Sequence, residues 1–146
     1  MTRAALVLVA LLGACLPEPD LGEPLAGGCV AADSDPENDV SFAHDVRPLF
    51  DRGMGEAGCS CHNSPTGIGA MLGGLELSSL ARLRRGGLTT GAQIVVPGDP
   101  CRSYLVQKVS LSPPWGSRMP LNGPPYLTDE EIQLISDWIF EGARDN

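Results

Sequence analysis

Gly58-Cys59-Ser60-Cys61-His62 places two thiols and an imidazole within four positions. These are soft and borderline donors of the kind that hold transition metals. They follow a short helix-compatible stretch and precede a glycine-rich one. No other part of the chain offers comparable chemistry. The spacing is C-x-C-H, so the first cysteine stands two residues before the second.

With 146 residues the chain has room for one domain and appendages. Eighteen acidic against ten basic residues give a net charge of −8, which argues against nucleic acid and anionic lipid surfaces as partners. Aromatics are only 5%, while Gly (18) and Pro (13) are abundant, which predicts short helices joined by long loops. A thin core of this kind gains from a staple: a disulfide, a metal or a covalent cofactor.

The first residues read as a targeting segment. Arg3 precedes the apolar run Ala4 to Leu12, which is too short to span a bilayer but fits the apolar centre of a signal peptide. The run ends Leu12-Gly13-Ala14-Cys15, which resembles a bacterial lipobox and implies cleavage after residue 14 and acylation of Cys15. Acyl chains on Cys15 would anchor the chain to a bilayer. Residues 15–40 carry Pro17, Pro19, Pro24 and Pro36, many acids and no apolar period, and are expected to form a flexible tether. Cys29 stands out there, because a free thiol is poorly tolerated in an oxidising compartment. Residues 41–146 are then the domain.

Within it, Asp45 is the expected cap of a first helix bearing Val46, Leu49 and Phe50, with Pro48 in its first turn. His44 reads as a solvated helix-start residue. Pro65 to Gly74 reads as a glycine-rich loop, and Ser78–Arg85 as a short helix whose Arg82, Arg84 and Arg85 face solvent or a charged group. Ile94-Val95-Val96 is an extended run closed by Pro97-Gly98-Asp99-Pro100, and Cys101 to Val109 reads as helix. Ser110 to Pro125 holds five prolines and cannot be helical. Met119 lies in it, and Trp115 either covers a cofactor face or caps the core. Thr128-Asp129-Glu130-Glu131 is a capping box that opens a helix with an Ile132, Ile135, Ile139 stripe and Trp138 beside it.

C-x-x-C-H is the attachment signature of a c-type haem. There, two thiols three residues apart share one face of a helical turn, and the histidine binds the iron. Met is a common sixth ligand of electron carriers. The order Cys/His cluster, G-L-E-L-S-S, V-V-P-G-D-P-C-R-S-Y-L, R-M-P-L, L-T-D-E-E-I and D-W-I-F-E-G-A resembles cytochrome c domains of the planctomycete type, common in bacterial lipoproteins. The resemblance spans Ser41 to Asn146. It implies a mainly α, cytochrome c-like helical domain with long Gly/Pro-rich loops. It also implies covalent haem c, with Cys59 and Cys61 as attachment points, His62 as proximal iron ligand and Met119 as distal ligand. Trp138 would be core.

The departure is at the first cysteine. The family's position is Gly58 here, and Cys59 is one residue late, about 100° round a helix. Three outcomes follow: the strand deforms so that Cys59 attaches, Cys61 attaches alone, or no haem binds and Cys59 enters a disulfide. If Cys59 and Cys61 both take haem, Cys29 and Cys101 remain as one pair. Functionally, the sequence points to a lipid-anchored, periplasm-facing single-electron carrier, placed by its Leu16 on the outer membrane. It would not be an enzyme, and it would meet a basic redox protein through its acidic surface. The alternative is a haem-free, disulfide-stapled interaction module. A weaker third reading is a copper carrier using Cys59, Cys61, His62 and Met119.

Overall fold

The computed structural model describes Cys29, 32–53, 55–111 and 113–146. The expected signal segment and Cys15 lie outside these residues. The described residues are helical and contain no strand, and none of their helices is long and apolar enough to cross a membrane. Five α-helices follow in order: α1 (Arg47–Asp51), α2 (Ile68–Gly73), α3 (Leu80–Arg85), α4 (Tyr104–Val109) and α5 (Asp129–Phe140).

The α5 helix organises the core. Thr128 Oγ1 accepts from the Glu131 N–H at 3.3 Å and the Glu131 carboxylate accepts from the Thr128 N–H at 2.9 Å, so the expected capping box is present. Ile135, Trp138 and Ile139 on α5 are fully buried. They pack with Phe42, Val46 and Phe50 from the first helical segment and with Leu105 and Val109 from α4. The rings of Phe42 and Trp138 lie 5.3 Å apart. The last helix thus packs on the first helical segment, and Trp138 is core, as the resemblance implies.

The first segment starts earlier than expected. A π-helical turn, Phe42–Val46, precedes α1 and is capped by Ser41, whose Oγ accepts from the His44 N–H at 3.2 Å. Asp45 is not the cap; its carboxylate turns back to the Ser41 N–H at 2.8 Å. The two residues satisfy each other's end of the turn, which extends the helix by one turn.

The stretch read as a loop at Pro65 to Gly74 contains α2. Its glycines lower helix propensity, and Ile68, Met71 and Leu72 point outward, so no inward stripe marks it; Ala70 alone is buried. The expected helix from Cys101 is divided. Pro100–Arg102 is a 3-10 turn capped by Asp99, whose carboxylate accepts from the Arg102 N–H at 3.0 Å, and α4 begins only after Ser103. Buried Ser103 explains the break: its Oγ donates to Asp99 O at 2.9 Å and accepts from the Val96 N–H at 2.8 Å. Gly91–Ile94 is a 3-10 turn, so the extended run narrows to Val95 and its neighbour.

Residues before Ser41 make contacts with the domain. Cys29 is disulfide-bonded to Cys101, with Cα atoms 5.5 Å apart. Ser34 bonds Asp137 through both its N–H (3.1 Å) and its hydroxyl, and the Val40 N–H donates to Glu141 at 2.8 Å. Asp39 pairs with Arg144. The described residues from Ser34 to Val40 are therefore fastened to α5 and to the residues after it, and Cys29 to Cys101. Composition hid this, because a polar segment can be held by hydrogen bonds and one covalent link without any apolar period.

Candidate functional site

The Cys/His stretch is held between α1 and α2. The Cys59 N–H donates to Phe50 O at 3.2 Å, and Cys59 caps the 3-10 turn Ser60–His62. The His62 N–H closes that turn on Cys59 O at 2.8 Å. Asn63 Nδ2 anchors the far end on Phe50 O (3.2 Å) and Asp51 Oδ1 (2.7 Å). The Leu77 N–H donates to His62 O at 2.8 Å, which fixes the chain after α2 against the same turn.

His62 is half-buried, and its Nδ1 lies 2.9 Å from Leu75 O. A carbonyl can only accept, so Nδ1 carries a proton, and in the neutral ring the lone pair is on Nε2. A carbonyl behind the ring is the support that orients metal-ligating histidines and strengthens them as donors. A Cβ at Gly69 would fall 2.6–2.8 Å from Nε2, Cε1 and Cδ2. Near-equal distances to these three atoms put that position over the ring face, off the in-plane direction of the Nε2 lone pair. The glycine lets α2 lie flat on the imidazole. Leu75 and Gly69 escape sequence reading because one acts through its backbone and the other through having no side chain.

Neither Cys59 nor Cys61 is in a disulfide. The Cys29–Cys101 bond corrects the reading in which Cys59 pairs with either of them. Cys59 is 6% exposed and belongs to the main core, whereas Cys61 is half-exposed. Burial first, and then the neighbouring Cys61, push the Cys59 thiol from 9.0 up to about 12. The folded state thus holds this proton longer than the unfolded chain. Its contribution is complete below pH 9 and is lost as pH rises from 9 toward 12, at ~1.4 kcal/mol per pH unit. Haem-free Cys59→Ala protein is expected to lose less stability between pH 9 and 11 than the wild type in urea titrations. Parallel losses would contradict a buried thiol.

Met119 is half-buried against the core to which Cys59 belongs. Its loop is fastened to α4. The Met119 N–H donates to Lys108 O at 2.7 Å, and Lys108 Nζ donates to Trp115 O (2.7 Å) and Ser117 O (2.8 Å). Arg118 Nε holds Val109 O at 2.7 Å. Lys108 and Arg118 are the residues that position this loop, and sequence reading missed them because an isolated cation gives no clue to which carbonyls it meets. Trp115 packs edge-on against Tyr104, with ring centroids 4.8 Å apart, so here it covers the core.

Other singled-out residues have structural roles. Arg82 pairs with Glu76 at 2.9 Å, Arg85 approaches the same carboxylate at 4.0 Å, and Arg84 donates to Ala143 O at 2.6 Å. His44 is exposed. Among the described residues no group of three or more His, Cys, Asp or Glu is assembled to hold a metal ion. Cys59, Cys61 and His62, three of the four donors of the third reading, are thus not gathered into a preformed site.

Among solved structures, hydrazine synthase of Kuenenia stuttgartiensis is 28% identical over 75% of this chain, with a TM-score of 0.40. The chain spans 17% of that structure's chain. At that score the likeness bears on neither fold nor activity. No family model matches the chain, and no curated protein matches it.

Proposed function

We propose that this chain is a c-type cytochrome that carries single electrons, and is not itself an enzyme. The observation that supports it best is His62, with Nδ1 held by Leu75 O and the Nε2 lone pair left for a metal. Cys61 stands beside it as a half-exposed free thiol in the same turn. On this reading Cys61 would give covalent attachment, and His62 together with Met119 from its clamped loop would bind the iron. Haem c, when bound, supplies the one-electron couple. The chain's part is to orient the imidazole, cover it with α2 and limit the access of water.

The remaining features fit a carrier in the cell envelope. Acylated Cys15 would hold it to a bilayer, facing the periplasm, with the outer membrane favoured. The net charge of −8 suits a basic redox protein met briefly. The test is a periplasmic form made with haem-attachment machinery present. The expected product is red, has sharp α and β bands on reduction, and keeps haem after denaturation. Colourless protein overturns the proposal. His62→Ala is expected to abolish the sharp reduced bands, and an unchanged spectrum would remove His62 as ligand.

A second reading, a haem-free interaction module, is favoured by two observations. The Cys29–Cys101 bond already staples the domain. In addition, α2 exposes Ile68, Met71 and Leu72 at 56%, 60% and 76%. The same preparation, found colourless and folded, would support it.

A further inference from the structure

We infer that haem attachment in this protein runs through a single thioether at Cys61, with Cys59 a permanent core thiol. This rests on the cytochrome reading above. The resembling family has its first cysteine three residues before the second, which here is Gly58, two residues ahead of the 3-10 turn. No side chain fits there: a Cβ at Gly58 would lie 1.9 Å from Arg52 O and 2.5 Å from Arg52 Cβ. The backbone after α1 is packed onto this glycine, so the customary position is closed.

Cys59 cannot substitute for it. It precedes the 3-10 turn as its cap residue and is buried, whereas Cys61 within the turn is half-exposed. Its side chain lies in the core with Phe50 and Leu77, and its N–H is tied to Phe50 O. Turning it outward would break that bond and empty a core position. An unpaired thiol is tolerable in an oxidising compartment when apolar side chains shield it. The Cys29–Cys101 bond takes Cys29 and Cys101 away as its disulfide partners. Cys61, half-exposed and adjacent to His62, has neither restraint.

The bond-forming step is balanced without an oxidant or reductant. Cys61 adds its S–H across one vinyl C=C: Sγ bonds the carbon nearer the ring, and the hydrogen ends on the terminal carbon, which becomes a methyl group. The second vinyl stays intact.

The test uses the full chain made with haem-attachment machinery. The pyridine haemochrome α band of the wild type is expected between those of two-thioether haem c and free protohaem. Mass spectrometry should find haem on Cys61 alone. Cys59→Ala should leave the band in place, and Cys61→Ala should lose all haem that survives denaturation. A two-thioether band in the wild type, or a band that moves in Cys59→Ala, overturns the inference while leaving the cytochrome reading intact. Colourless wild type overturns both. Haem-free protein gives an independent readout. Alkylation of native Cys61 should outpace that of Cys59 by about tenfold or more, because Cys59 reacts only through opening of the core. Comparable rates overturn the inference even if Cys59→Ala fails to fold.

Discussion

Trp138→Ala is expected to cost about 3–5 kcal/mol of folding stability. Trp138 is fully buried in α5, and its ring packs tilted against Phe42, with centroids 5.3 Å apart. Its Nε1–H also donates to Arg144 O at 2.9 Å. Truncation removes the largest side chain of the core, an aromatic pair worth ~0.5–1.5 kcal/mol beyond its area, and the bond that holds the chain after the helix. Domains have roughly 5–15 kcal/mol in total, so the variant should sit near the edge of folding. Trp138→Phe keeps most of the packing and loses the hydrogen bond, and should cost less than half as much. Urea unfolding followed by far-ultraviolet circular dichroism measures both. A loss below about 1 kcal/mol for the alanine variant would mean that α5 is not the core element described here.

Replacing both Cys29 and Cys101 with serine is expected to cost about 4 kcal/mol, from the loop that a 72-residue separation closes in the unfolded chain. For a domain of this size the melting temperature should fall by roughly 10–20 °C. The bond also clips the leading segment onto the turn before α4, so Ser34 and Val40 should lose protection from hydrogen exchange before the helices do. Unchanged exchange at these two amides, with unchanged stability, would show that the bond does not fasten the segment. A reducing agent should reproduce the effect in haem-free protein, and Cys59→Ala should leave it in place.

Elements whose cause is local were legible in the sequence. The capping box at Thr128 and Glu131, the α5 stripe and the proline-rich break before it depend on neighbours within a turn or two. The π-helical turn at Phe42–Val46, the division at Ser103 and the existence of α2 were not legible. The first depends on Ser41 accepting from the His44 N–H while Asp45 bonds back to the Ser41 N–H, the second on the bonds Ser103 makes with Asp99 and Val96, and the third on a helix that buries only Ala70.

For the site, residue chemistry and spacing were enough to pick out Cys59, Cys61 and His62 and to raise a doubt about the first cysteine. They could not say which thiol faces out, because two residues of offset decides the face only once the turn type is known. Burial of Cys59, closure of Gly58 by Arg52 and the lock of Leu75 O on His62 come from chain segments meeting in space. The pairing of Cys29 with Cys101 is of the same kind. Composition and short-range pattern thus set a small α-helical domain around one Cys/His turn. Only long-range packing assigned each of those side chains to the core or to the surface, because burial depends on what the rest of the chain brings against it.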